Sequence, residues 1–503
     1  MPISIQTPDW VKHAVFYQIF PDRFAKGQRL PQPPLQKGEI KGGWQPGKLE
    51  AWDEPPTLQG YKGGNLWGVI EKLDYLQDLG INAIYFTPIF QSACNHRYHT
   101  HDYYKVDPLL GGNEALLALL DAARQRDIKI VLDGVFNHAS RGFYFFNDIL
   151  ENGPHSPWLD WFKIEGWPLS AYDGSKPANY VGWADNRSLP EFNHDNPEVR
   201  EYLMQVAEYW LKVGIDGWRL DVPLEIKTPG FWQEFRERVK AINPEAYIVG
   251  EVWEDARECL DGTQFDGVMN YLFAVPTIAF TTGDRVRREL VAHKEYQPYP
   301  ALDAAGYAEK MENLLNLYPW EIQLTQFNLL NSHDTARLYT IASEDRASVR
   351  LATLLLMTGV GAPSIYYGDE VGLPGNDDPD CRRSFPPEEE WDREVLSYYK
   401  QLIALRRQYR SLRIGDYQVL GTEGMVYVFA RSLPGKKTGE KPEEREEIIV
   451  ALNVGEESAV TTVNVSSLKS QPSKTLYGEG EVSWAEDNLT LRLPPRRGII
   501  LGN

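Results

Sequence analysis

Residues 196–223 read NPEVREYLMQVAEYWLKVGIDGWRLDVP, and the way this stretch divides decides the fold. Its first part predicts a helix over 196–214, where Asn196 can cap, Pro197 suits the first turn and Gly214 can end it. Val199, Leu203, Val206, Trp210 and Val213 recur at helical spacing and give one apolar face. The second part, GIDGWRLDVP (214–223), predicts a buried strand built on Ile215, Trp218 and Leu220. Alternation puts Arg219 and Asp221 on the same face of that strand. A helix that hands directly to a buried strand is the unit of an α/β fold with a parallel sheet.

The same unit recurs on either side. Strands are expected at 14–20, 82–88, 128–136, 215–222, 246–253, 265–272, 327–334 and 363–370, mostly joined by amphipathic helical stretches. Eight such strands predict a (β/α)8 TIM barrel. An open doubly wound sheet is the alternative, but no strand runs into a Gly-rich phosphate turn. Residues 27–64 read as a long loop rich in Gly, Pro and Trp, and 139–195 are too long for an idle connection. The expected organisation is a catalytic barrel over 1–138 and 196–412, an inserted domain B over 139–195 after strand three, and a C-terminal antiparallel β-sandwich over 413–503. The charged tract 434–447 reads as a solvated hairpin loop.

Composition narrows the partners. Lys and Arg total 52 against 71 Asp and Glu, a net charge of −19, which argues against nucleic acid and anionic membrane. Fifteen Trp and twenty-seven Tyr supply core packing or platforms for flat ligands such as sugar faces. Three cysteines (Cys94, Cys259, Cys381) imply no disulfide framework and fit a reducing compartment. The opening residues do not read as a signal peptide, so a cytoplasmic location is expected.

Ionisable residues gather at the C-terminal ends of the expected strands: Asn137 and His138, Arg219 and Asp221, Glu251, His333 and Asp334, Asp369 and Glu370. In a barrel those ends converge on the face that carries active sites. Asp221, Glu251 and Asp334 are the candidate carboxylates. Two carboxyl groups can divide glycoside hydrolysis, one ionised and attacking, the other holding a proton for the leaving oxygen. Arg219 is expected to depress the pKa of Asp221, and an apolar setting with anionic neighbours to raise that of Glu251. No H-E-x-x-H or paired-Cys spacing suggests zinc.

At these residues the chain resembles glycoside hydrolase family 13, the α-amylase superfamily, through DGVFNH (133–138), GWRLD (217–221), GEVW (250–253) and NSHDT (331–335). The resemblance implies Asp221 as nucleophile, Glu251 as acid/base and Asp334 as transition-state stabiliser. It implies sugar binding by His138, Arg219 and His333, with Tyr98 stacking on the same sugar. It also implies retention through a covalent intermediate on Asp221, so the two reacting carboxyl groups should lie roughly 5–5.5 Å apart. DVPLE (221–225), Trp253, DPDCRR (378–383) and APSIYYGDE (362–370) resemble the cyclomaltodextrinase, neopullulanase and maltogenic amylase group. Asp378 and Arg382 match its residues for sugars toward the non-reducing end, and Glu225 and Trp253 the leaving-group side.

Members of that group usually carry an N-terminal β domain, whereas the first barrel strand here is expected near residue 14. The domain is therefore expected to be absent, the cleft more open, and the protein a monomer or a dimer through another surface. LPEFN (189–193) only partly matches the group's MPKLN. FAKGQRLPQPP (24–34) replaces its Asn/Asp-rich calcium loop, and His99 stands where Asp is usual, so no obligatory calcium and no other cofactor are expected. This combination resembles cyanobacterial debranching enzymes of the group. The expected substrates are the α-1,4 bonds of cyclodextrins and malto-oligosaccharides and the α-1,6 bonds of pullulan or branched α-glucans. A transglycosylase on the same substrates is the nearest rival. A non-catalytic sugar-binding relative fits worse, since such relatives typically lose catalytic carboxylates.

Overall fold

The structure is a computed structural model of the chain and describes residues 5–27, 49–292, 296–435 and 445–503. Among these, eight parallel strands close a barrel: β1 (Phe16–Ile19), β2 (Ala83–Phe86), β3 (Lys129–Gly134), β4 (Gly217–Leu220), β5 (Tyr247–Gly250), β6 (Gly267–Asn270), β7 (Phe327–Asn328) and β8 (Ala362–Tyr366). Each pairs with its neighbours in chain order, and β8 returns to β1. All eight fall on the expected stretches, and each stops short at its C-terminal end. The polar residues there leave the ladder and turn across the barrel mouth. Asp221 and Glu251 lie one residue past β4 and β5, and His333 and Asp334 five and six residues past β7.

The deciding stretch folds as its pattern requires. A helix runs Pro197–Val213, Asn196 Oδ1 accepts from the Glu198 N–H at 2.8 Å, and Gly214 ends it at φ 119°. Its buried face is Val199, Leu203, Met204, Val206, Ala207, Trp210 and Leu211, with Val213 at the edge. Further helices over Gly112–Arg124, Phe231–Ile242, Tyr271–Thr282, Arg346–Thr358 and Arg393–Gln408 surround the barrel. The alternation is not strict, for residues 251–266 join β5 to β6 through turns alone. A hairpin that the sequence reading did not anticipate (Phe90–Ser92 with Thr100–Val106) follows β2. Its tip, residues 93–99, carries Tyr98.

Residues 139–195 contain one α-helix of length, Tyr144–Asn152, and isolated bridges that pair His138 with Glu191 and Gly182 with Pro190. They lie over the mouth rather than forming a sheet of their own. Of the long loop after β1, residues 49–64 are described and hold neither strand nor helix; 28–48, which include most of FAKGQRLPQPP, lie outside the described residues. The same holds for 436–444 of the charged tract.

From Asp416 onward the chain forms two antiparallel sheets. Alternation sorts one strand between two cores. Val426, Val428 and Ala430 face Ile449, Leu489, Leu491 and Ile499 between the sheets, while Tyr427 and Phe429 pack on the barrel side. One buried guanidinium, Arg431, ties this domain to the barrel, and a second, Arg406 of the barrel helix Arg393–Gln408, bonds the same turn. Arg431 Nη1 donates to the carbonyls of Thr358 (2.7 Å), Gly359 (2.8 Å) and Leu412 (2.9 Å), and Arg406 Nη1 to Met357 (3.0 Å) and Leu412 (3.0 Å). Thr358 is the last residue of the helix beginning at Arg346, so Arg431 sits on the negative end of that helix dipole. Among the described residues no helix is long and apolar enough to cross a membrane.

Candidate active site

Strand register builds the centre. Asp133 of β3 lies beside Arg219 of β4, and Leu220 of β4 beside Gly250 of β5. β4 and β5 approach so closely that a Cβ on Gly217 would meet the Tyr247 carbonyl oxygen at 2.3 Å, which requires glycine. The strand ends therefore converge on one guanidinium. Arg219 Nη1 lies 3.0 Å from Asp133 Oδ1 and 3.0 Å from Asp221 Oδ1, donating to both. Its Nη2 makes a 3.0 Å charge contact with Glu251 Oε2 without hydrogen-bond alignment. Tyr85 Oη (2.6 Å) and Tyr98 Oη (3.0 Å) both donate to Asp133 Oδ2.

One cation thus serves three carboxyl groups, and this corrects the expectation for Asp221. Its pKa is raised well above the usual carboxylate value, first by burial and then by the charge of Glu251, with Arg219 opposing both. Burial pushes Asp133 up to about 6 despite the same cation. Arg219 cannot hold Asp221 down because its charge is shared three ways, and the cluster favours keeping a proton.

The residue after Asp221 is bent out of the strand. Val222 has φ 36° and ψ 51°, a left-handed conformation costly for a β-branched side chain. The bend aims the Val222 N–H at Glu251 Oε2, 3.1 Å away. Trp253 Nε1 donates to Glu251 Oε1 at 3.2 Å, and its ring lies flat on Tyr271, with centroids 3.7 Å apart and planes 6° apart. Both Glu251 oxygens are therefore held from the protein side.

Asp334 is placed by the turn of NSHDT. The Ser332 N–H donates to Thr335 Oγ1 (2.9 Å) and the Asp334 N–H to Ser332 Oγ (3.2 Å). Asp334 lies 3.2 Å from His333 Nε2 and 3.4 Å from Arg382 Nη2, and Arg382 Nη1 lies 3.0 Å from Asp378 Oδ1. Gln18 of β1 fixes the His333 tautomer. Its amide donates to Nδ1 at 2.7 Å, which leaves the proton on Nε2, toward Tyr98 Oη and Asp334. The Tyr98 and His333 rings are parallel within 3°, with centroids 5.5 Å apart. His138 stacks on Trp183 at 5.3 Å, its Nε2 finds no hydrogen-bond partner among the described residues, and burial pushes its pKa down to about 3. The neutral ring is free to bond a hydroxyl.

These groups open on a cleft of about 720 Å³, within the range of small-ligand sites. Nine of the eleven residues expected from sequence line it: Tyr98, His138, Asp221, Glu225, Glu251, Trp253, Asp334, Asp378 and Arg382. Arg219 and His333, 1% and 0% exposed, lie one layer beneath and act on the wall through the carboxylates and Tyr98. Asp369 and Glu370 do not join them. Asp369 pairs with Arg337 at 2.9 Å, and Glu370 is buried, accepting from Tyr17 and Tyr75 at 2.7 Å each. The sequence reading missed Leu58 and Trp183, which reach the cleft from long segments without periodicity, and Gln18 and Asp133. Asp133 stood in plain view as the first residue of DGVFNH, and an acidic residue inside a buried strand was the available signal.

With this geometry in hand, comparison with known proteins is specific. The family described as "Alpha amylase, catalytic domain" matches residues 18–390, and "Alpha-amylase C-terminal domain" matches 415–501. A cyclomaltodextrinase of Geobacillus thermopakistaniensis (strain MAS1) is 39% identical over 495 residues, spanning 97% of this chain and 77% of the relative. Neopullulanase 2 of Thermoactinomyces vulgaris is 40% identical over 504 residues, spanning 99% of this chain and 79% of the relative. The crystal structure of a debranching enzyme from Nostoc punctiforme superposes with a TM-score of 0.90 at 67% identity, covering 100% of both chains.

Proposed function

The chain belongs to the α-amylase family of glycoside hydrolases, and from that premise we propose that it hydrolyses α-1,4 bonds of cyclodextrins and malto-oligosaccharides and α-1,6 bonds of pullulan or branched glucans. The observation that carries the reading is the convergence of Asp221, Glu251 and Asp334 on one cleft, the first two sharing the Arg219 guanidinium and the third set beside Arg382.

In this reading the reaction is a double displacement with retention. Asp221 attacks the anomeric carbon as the glycosidic bond breaks, and Glu251 gives its proton to the leaving oxygen. Glu251 then takes a proton from water, whose oxygen displaces Asp221. Asp334 faces the positive charge that develops on the sugar ring. The raised pKa of Asp221 in the free site fits a cluster that retains one proton, which must stand on Glu251 when the bond breaks. The linkage is read on the leaving-group side, where Glu225 is exposed and Trp253 half-buried, so that side has room for either hydroxyl.

The test is a parallel assay on cyclodextrins, pullulan, amylose and amylopectin. New reducing ends from both cyclodextrin and the α-1,6 bonds of pullulan are expected. Intact α-1,6 bonds would remove the debranching half, and longer oligosaccharides dominating at high substrate would favour the transglycosylase.

A further inference from the structure

The tip of the hairpin after β2 holds a cluster of donor atoms outside the carboxylate trio. Cys94, His96 and His99 each present a ligand atom, and the three atoms lie within 4.8 Å of one another. Cys94 Sγ is 3.4 Å from His96 Nδ1. The sulfur–nitrogen edge of a tetrahedral zinc site is about 3.6 Å, from Zn–S and Zn–N bonds of about 2.3 and 2.05 Å. His96 and His99 meet edge to face, with centroids 5.2 Å apart. We propose that Cys94, His96 and His99 form a three-ligand site for a borderline-soft divalent cation, Zn²⁺ above all, whose remaining coordination position opens into the substrate cleft.

Several observations support the donor set. A thiolate with two imidazoles suits zinc rather than calcium, which takes oxygen ligands. An ordinary imidazole, with a pKa of about 6.5, is mostly neutral at pH 7 and offers a lone pair to a cation. The contacts that a metal must replace are long, the Tyr98 N–H to His96 Nδ1 at 3.3 Å and the thiol contact at 3.4 Å. Ser92 braces the site from behind. Its Oγ lies 3.3 Å from Cys94 Sγ and donates to the His99 carbonyl at 2.7 Å. An ordinary thiol, with a pKa of about 8.5, is protonated at pH 7, so the cation must displace its proton: Cys94–SH and Zn²⁺ give the zinc thiolate and one H⁺.

The site bears on turnover through its position. His96 and His99 line the cleft on either side of Tyr98 in sequence, so a bound cation occupies the wall where the sugar would sit. Cys94 does not line the cleft, which allows it to be changed without touching the carboxylates. Zinc bound here should therefore inhibit reversibly.

Titration of the metal-free protein with zinc chloride and cobalt(II) chloride tests this. One equivalent of zinc with release of about one proton, and a thiolate-to-cobalt charge-transfer band, are expected for the unmodified protein. Cys94→Ser should lose the band and bind at least about tenfold more weakly, and His99→Asn should bind similarly weakly. Metal-free Cys94→Ser should match the parent in cyclodextrin turnover, and loaded parent enzyme should fall at least fivefold where Cys94→Ser does not. Absence of the band, or equal affinity in parent and both variants, overturns the site. Unchanged turnover of zinc-loaded parent overturns its effect on catalysis. The binding, proton-release and charge-transfer readouts do not depend on which glucan is the substrate, so failure of the site and failure of the proposed activity are distinguishable.

Discussion

At the scale of single residues, the decisive fact is that Arg219 is shared. Asp133→Asn removes one of two neighbouring negative charges that push Asp221 up, so Asp221 ionises more easily. The acid limb of kcat/KM should then move to lower pH, as a pH–rate profile on cyclodextrin would show; a shift upward would contradict the shared-cation account. His138, held near 3, is neutral through that range and should not contribute to the limb. Glu251→Gln should lower turnover by about 10²–10⁴-fold, the range for loss of a general acid. Asp221→Asn should abolish turnover yet keep oligosaccharide binding, read by calorimetry with maltotriose. Residues of this kind were legible because four short motifs each end a strand. What one sequence hides is reach: Gln18 touches His333 from 315 residues away in the chain, and nothing in either neighbourhood announces the pair.

At the scale of elements, the eight strands and the helix over Pro197–Val213 could be read from pattern, because burial on all sides leaves near-continuous apolar runs. The strand ends could not. Val222 turns left-handed directly after Asp221, and no propensity suggests that of a valine; the turn exists because its N–H meets Glu251. After β8, Asp369 and Glu370, read from sequence only as ionisable residues at a strand end, anchor the connection and stay out of the cleft. Burial pushes Glu370 up to about 7, while Tyr17, Tyr75 and the Gly368 N–H bond its oxygens. A folded-state pKa above the unfolded value means that its contribution is full below pH ~4.5 and is lost as pH rises through 7. The difference amounts to about 3 kcal/mol between the two limits. Glu370→Gln should be less stable at every pH, since an amide nitrogen would face the Gly368 N–H. Its melting temperature should nonetheless fall less than the parent's between pH 5 and 8. A parallel decline in both would reject the assignment.

At the scale of the whole molecule, one face of the larger C-terminal sheet joins the barrel core while its other face packs on the second sheet, and the antiparallel part was legible in the change of period near residue 412. The junction with the barrel was not, because Arg431 reads in sequence like any surface arginine, and its acceptors at Thr358 and Gly359 lie more than seventy residues away. Arg431→Ala should lower stability in urea unfolding by about 1–3 kcal/mol or more, since it strands several buried carbonyls at once. Dialysis against a calcium-selective chelator should leave activity unchanged; loss that calcium restores would show a metal requirement. The Arg431 contact also determines what can be trimmed. The helix ending at Thr358 takes one of the two cations at its terminus, Arg431, from another domain (the other is Arg406 of the barrel), so the C-terminal sheets act on the barrel as a tethered counter-ion. A shortened chain that stops before that arginine would lose the charge along with the sheets, and in vitro the two halves should melt together in a single transition.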